Sequence, residues 1–128
     1  MKESILEVKN LHFAYDEHHT VLDGISLSVF AGERIAILGS NGAGKSTFFL
    51  NLNGVLTPAE GEISYRGTKI TRKTLKKLRQ HIGIVFQDAD NQIIASSVLA
   101  EVSFGPMNLK LPRSEVEERV NTALNYMN

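Results

Sequence analysis

Cysteine is absent from the chain, which excludes disulfides and thiolate metal sites and suits a reducing compartment. Excess charge is absent as well. Lysine plus arginine number 14 and aspartate plus glutamate 14, so no whole-chain field draws the protein to nucleic acid or to an anionic membrane. No apolar run approaches the roughly 20 residues that a membrane helix requires, and Met1-Lys2-Glu3-Ser4 lacks the apolar core of a signal peptide. The chain is therefore expected to be soluble, with any membrane role passing through another subunit. At 128 residues its size permits independent folding, with roughly 65–70% of the unfolded surface buried.

Glycine, by contrast, is concentrated where chemistry can use it. Gly39-Ser40-Asn41-Gly42-Ala43-Gly44-Lys45-Ser46 satisfies every fixed position of G-x-x-x-x-G-K-[ST], the phosphate-cradling P-loop. The three glycines allow turn conformations closed to residues with a Cβ, so that successive N–H groups can face an anion. Lys45 supplies a mobile charge for β- and γ-phosphates, and the Ser46 hydroxyl suits a hard cation such as Mg²⁺. The context is strand, loop, helix. Arg34-Ile35-Ala36-Ile37-Leu38 is a short apolar run, expected as a buried parallel strand. Residues 45–53 are expected as a helix that Gly54 ends, its N-terminal dipole facing the phosphates. The dinucleotide fingerprint G-x-G-x-x-G is not met, since the glycines read G-x-x-G-x-G.

Upstream, Ile5 to Tyr15 carries Leu6, Val8, Phe13 and Tyr15 at near-alternating spacing, expected as an edge strand with a slip near Asn10. Val21 to Phe30, with Ile25, Leu27 and Val29 on one face, is expected to pair with it in antiparallel fashion. Asp16-Glu17-His18-His19 between them is expected to be a solvated polar turn rather than a metal cluster, because neighbouring residues seldom converge on one ion. Tyr15 could stack on an adenine ring, which needs only a flat, polarizable partner, or be a half-buried strand tyrosine.

Downstream, residues 57–61 are expected as a turn and residues 62–67 as a strand closed by Gly67. Lys69, Arg72, Lys73, Lys76, Lys77 and Arg79 form a basic cluster interleaved with Leu75, Leu78 and Ile82, the pattern of an amphipathic helix with a solvated cationic face. Ile82 to Phe86 is expected as a second buried parallel strand that delivers Gln87 to the ligand edge of the sheet. There Gln87 could ligate Mg²⁺, orient a water, or be a polar loop residue. Pro106 and Pro112 bracket a break, Ser114-Glu115-Val116-Glu117 has the form of a capping box, and the helix after it places Val116, Val120, Ala123, Leu124 and Met127 on one face. An uncovered apolar stripe at the terminus suggests a fragment.

With Tyr15, the segment Gly39 to Thr47 and Gln87 in this order, the chain resembles the nucleotide-binding subunit of ATP-binding-cassette transporters. Residues 85–93 and 98–109 are similar to the energy-coupling-factor group, the cobalt importers in particular. The resemblance implies an α/β fold, a P-loop NTPase core with an antiparallel β subdomain at the N-terminus. It makes residues 1–128 the N-terminal part of one nucleotide-binding domain, with the β and P-loop core over about 1–90 and the Q-loop and start of a helical subdomain over about 87–128. It further implies ATP and Mg²⁺ as ligands, with Tyr15 on the adenine and Gly39, Ser40, Asn41, Gly42, Ala43, Gly44, Lys45, Ser46 and Thr47 around the phosphates. Ser46 and Gln87 would lie on the metal, and Lys45 and Gln87 would be the catalytic pair. The partners implied are a second ATPase subunit, head to tail, and a transmembrane subunit touching the Q-loop region, at the cytoplasmic face of the membrane. No Leu-Ser-Gly-Gly-Gln signature, Asp-Glu strand end or switch histidine occurs, so this stretch is expected to bind nucleotide rather than hydrolyse it. The alternative from another class is a soluble P-loop ATPase acting on nucleic acid, resting on the basic segment 69–79.

Overall fold

The computed structural model describes residues 2–128. They fall into two compact units, divided between Ile84 and Val85.

The first unit is built on an antiparallel sheet. Strand β1 (Ser4–Ala14) pairs with β2 (Thr20–Phe30) on one side and β3 (Glu60–Tyr65) on the other, and β4 (Thr68–Lys69) completes the order β2-β1-β3-β4. β1 is thus central rather than an edge strand. Its alternation reports which residues share a face and is silent on how many neighbours the strand has. The expected slip is present: Asn10 has φ 50°, and both ladders shift there, between Val8 and Leu11 toward β2 and between Lys9 and His12 toward β3. This bulge moves the inward face from even to odd positions, so that Val8, Leu11 and Phe13 are all buried. Gly61 makes the bulge possible. It has φ 85°, and a Cβ there would stand 2.2 Å from the Asn10 carbonyl oxygen and 2.5 Å from that of Lys9.

β2 pairs as expected, but its deepest residue is Leu22, while Leu27 only leans on the core and Ile25 is 39% exposed. An irregularity at Gly24 (φ 71°) separates Leu22 from the later alternation. β3 turns into β4 through Arg66 and Gly67, both at positive φ (45° and 77°), the conformation of a two-residue hairpin whose twist matches the strands. Helix α1 (Lys45–Leu52) closes the sheet from one side: Phe48 joins Val8, Leu11, Phe13, Leu22 and Ile63 in the core. Each such side chain contributes about 1.5–3 kcal/mol by leaving water, which is what holds an eight-residue helix too short to persist alone. Gly54 at φ 73° ends it.

Two expected strands do not form. Residues 34–38 and 82–86 carry no ladder among the described residues, and the one sheet is antiparallel. Leu38 is 91% and Val85 92% exposed, although Ile37 still packs on the core. Composition can favour a strand, but only a paired backbone makes one. The basic segment is likewise shorter than expected, with α2 spanning Leu75–Leu78 only. Lys69 belongs to β4, and Thr74 Oγ1 ties the intervening turn by donating to the Lys69 carbonyl oxygen at 2.7 Å. Leu78 is buried, and Lys76 and Lys77 face solvent.

The second unit is a helical hairpin preceded by a 3-10 turn at Asp90–Gln92. Helix α3 (Val98–Asn108) had no counterpart among the expected elements. Ser97 caps it by accepting from the Ala100 amide at 3.2 Å, and the Glu101 carboxylate accepts from the amides of Ile94 (3.0 Å) and Ala95 (2.8 Å). Pro106 lies inside α3, so the break begins later, at Leu109, with Lys110 at φ 56°. Helix α4 (Arg113–Met127) starts on Pro112 with no side-chain cap, and Ser114 sits in its first turn. The capping box therefore does not form: the helix takes Pro112 as its N-cap, two residues before Ser114, so the serine already lies inside the first turn. Of the expected stripe on α4, Val120 is 2% exposed, while Leu124 and Met127 are 37% and 82% exposed.

Leu11→Ala is expected to lower the unfolding free energy by about 3 kcal/mol through cavity formation, and Gly61→Ala by at least about 2 kcal/mol through backbone collision. Ile25→Ala should cost less than about 1 kcal/mol. Urea denaturation followed by far-UV circular dichroism checks all three, and a Gly61→Ala variant as stable as wild type would contradict the bulge.

Candidate phosphate-binding site

The loop from Gly39 to Gly44 begins with a turn in which the Ala43 amide donates to the Ser40 carbonyl oxygen at 3.1 Å. Gly44 then takes φ 98° and stands at the N-cap of α1. A Cβ there would meet Val21 Cγ1 at 2.9 Å and the Val21 carbonyl oxygen at 3.2 Å. Glycine is therefore needed twice over at this position, for its dihedral angle and for the close approach to β2. Val21 belongs to a strand laced to β1, so the start of the helix is fixed against the sheet rather than hung on a free loop.

That start leaves its amides open. The first helical bond runs from the Phe48 amide to the Gly44 carbonyl oxygen at 2.9 Å. Among the described residues no carbonyl accepts from the N–H groups of Gly44, Lys45, Ser46 or Thr47, no side chain caps the helix, and its first turn holds no acidic residue. Most helix starts satisfy these donors with a Ser, Asp or Thr side chain. Here the donors and the positive end of the helix dipole face outward together, the arrangement that attracts phosphate. Lys45 adds a full charge. Its Nζ folds back to donate to the Gly39 carbonyl oxygen and has no carboxylate partner among the described residues. Ser46 is exposed at the same mouth.

Tyr15 lies beside this loop. It follows the end of β1, its ring meets Phe13 edge-on with centroids 5.0 Å apart, and its hydroxyl hydrogen-bonds the Thr47 hydroxyl at 3.0 Å. Thr47 is 7% exposed and Tyr15 61%. The structure thus brings Tyr15 and Gly39–Thr47 together from opposite ends of a 32-residue separation. Gln87 belongs to the second unit, where it is exposed in the loop after Phe86. In the turn after Tyr15, His19 Nδ1 bonds the Asp16 carboxylate at 2.8 Å, and this bond holds the carboxyl below its usual range.

The sequence reading missed two residues that support the site. Phe13, 9% exposed, anchors the tyrosine ring. Asn51, 1% exposed, donates through Nδ2 to the Thr47 carbonyl oxygen at 2.8 Å and so ties down the first helical turn. The i, i+4 spacing of Thr47 and Asn51 was the available signal for the second.

The sequence pattern of the ABC transporter family matches residues 22–128. The energy-coupling factor transporter ATP-binding protein EcfA of Methanocaldococcus jannaschii is 48% identical over 94% of this chain, and EcfA2 of Clostridium perfringens is 48% identical over 97%. Each alignment covers 44% of the relative, so the chain spans less than half the length of these proteins. Among solved structures, cbiO1 of Clostridium perfringens, described as part of the ABC transporter complex cbiONQ, superposes with a TM-score of 0.84. It is 47% identical, over 97% of this chain and 50% of its own. A bacterial Atm1-family ABC exporter with ATP bound superposes with a TM-score of 0.62 at 41% identity, over 68% of this chain and 15% of its own. An open-amide helix start behind a glycine loop, the family pattern over most of the sequence and the likeness to cbiO1 agree, and the chain belongs to the ABC transporter family.

Proposed function

We propose that this chain is the nucleotide-binding part of an ATPase subunit that energises import of a solute through a membrane partner. The resemblance of residues 85–93 and 98–109 to the energy-coupling-factor group favours a transition metal such as cobalt, or a vitamin, as the solute. The observation that carries the reading is the placement of the Tyr15 ring against the start of α1, an aromatic face next to a row of open amides. Adenine would lie on Tyr15, and the triphosphate would receive hydrogen bonds from the amides of Gly42 to Thr47. Lys45 would exchange its bond to the Gly39 carbonyl for the β- and γ-phosphates, a gain in charge pairing that the neutral carbonyl cannot match.

Ser46 fits Mg²⁺: it offers an exposed hydroxyl, a hard oxygen donor, at the mouth where phosphate oxygens would supply further ligands. The resemblance gives Gln87 the place of the Q-loop glutamine, whose loop would contact the membrane subunit. When bound, the ion would neutralise charge on the phosphate oxygens. In-line attack on the γ-phosphate needs an oriented water and stabilisation of the developing charge. A second ATPase subunit, docked head to tail, would supply the latter. No helix of the described residues is long and apolar enough to cross a membrane. By its likeness to transporter ATP-binding subunits, the subunit would sit peripherally, at the cytoplasmic face, through its partner. The family match and the named relatives lend the nucleic-acid reading no support, and its basic segment forms only the four-residue α2.

Lys45→Ala is expected to weaken Mg-ATP binding at least about tenfold, the scale of one charge-assisted bond. Isothermal titration calorimetry checks this, and unchanged affinity would refute the site. Tyr15→Ala is expected to weaken ATP about tenfold, as loss of one base–aromatic stack does, while leaving tripolyphosphate affinity as it was. Equal losses for both ligands would argue against stacking.

A further inference from the structure

We infer that Thr47 is a positioning residue for the base as well as a member of the phosphate loop: its hydroxyl holds the Tyr15 ring in place before nucleotide arrives. The inference rests on the nucleotide-site reading above and adds a second role to a residue of that site.

Tyr15 lies just past the end of β1 and is 61% exposed. A tyrosine so exposed would ordinarily sample several rotamers, and a ligand that used it would have to freeze one. Here two contacts restrict it. Phe13, fixed in the core, meets the ring edge-on at 88°, the favourable geometry for aromatic pairs. At the far end of the ring the phenol hydroxyl hydrogen-bonds Thr47 Oγ1 at 3.0 Å, and either hydroxyl can donate. With one end fixed by the backbone, one contact on Phe13 and the hydroxyl tied, the exposed area of the ring is a flat surface held still.

Thr47 can serve as the fixed end because it is itself held by burial and by Asn51. Its side chain is 7% exposed, its carbonyl oxygen accepts from buried Asn51, and the Phe48 side chain that follows it is locked in the core. The same residue contributes an open amide to the phosphate mouth. Base platform and phosphate cradle thus share one rigid residue, which sets the distance between them. Neither the glycine pattern nor the aromatic at position 15 requires this link.

The test is a double-mutant cycle at the two hydroxyls, read by calorimetry with Mg-ATP and with Mg-tripolyphosphate as probes. Tyr15→Phe keeps the ring and loses the tether. It is expected to bind ATP about fivefold more weakly, the cost of immobilising one freed side chain on binding, with tripolyphosphate affinity unchanged. In a Thr47→Val background the same Tyr15→Phe change is expected to alter ATP affinity by less than about 1.5-fold, since coupled groups lose their interaction once. Thr47→Ser keeps a hydroxyl and should restore the sensitivity to Tyr15→Phe. Wild-type ATP affinity in Tyr15→Phe, or a full loss persisting in the Thr47→Val background, overturns the inference. A Lys45→Ala control separates the failures. If binding depends on Lys45 and not on the Tyr15 hydroxyl, the tether alone is wrong, whereas indifference to Lys45 removes the nucleotide reading and the tether with it.

Discussion

Four backbone amides at the start of α1 find no acceptor among the described residues, and most of what is specific to this chain follows from how they are kept that way. An uncapped helix start is a standing cost, of order 1 kcal/mol relative to a good side-chain cap. A helix this short could lower it by fraying. Fraying is prevented because Gly44 is pressed on Val21 and Phe48 is sunk in the sheet core. The sheet therefore has a job beyond its own stability: it maintains a cluster of unsatisfied donors that would otherwise find partners within the chain.

The same logic explains the polar residues of the core. Thr47, Asn51 and Asn53 are buried at one edge of an otherwise apolar cluster. Asn51 is bonded through Nδ2, while its Oδ1 has no partner among the described residues, an expense that an apolar residue of similar size would avoid. What it returns is a fixed first turn, and with it a fixed direction for the open amides. Asn53 ends the helix with its Oδ1 accepting from the Val55 amide at 3.1 Å. The polarity of this core edge is thus tied to the geometry of the helix ends rather than to stability.

What the sequence revealed divides along the range of the interactions involved. The glycine loop and the helix it opens were legible because their signal is local: consecutive residues at 39–46 carry both the dihedral freedom and the candidate functional groups. The slip at Asn10 was legible too, since it shows as a change of phase within one strand. The central place of β1 and the absence of ladders at 34–38 and 82–86 were not, because pairing depends on backbone from elsewhere and leaves no mark on period-two patterns. Helix α3 was obscured by Pro106 and by a Val/Leu/Phe-rich composition that fits several states, although Ser97 stood at its start as a cap. Tyr15 was a candidate on residue type alone. What sets it beside the candidate loop is a contact with Thr47 that no short-range rule encodes.

The bulge at Asn10 has one more implication. Before it, the inward side chains of β1 have even numbers; after it, they are odd, and Phe13 and Tyr15 inherit that parity. The aromatic platform therefore faces the helix only because a single surplus residue, accommodated by Gly61 across the strand, has been counted in. Length change along this strand is consequently constrained by arithmetic as much as by chemistry: drift by one residue would hand Tyr15 to the opposite side of the sheet, and drift by two would return it.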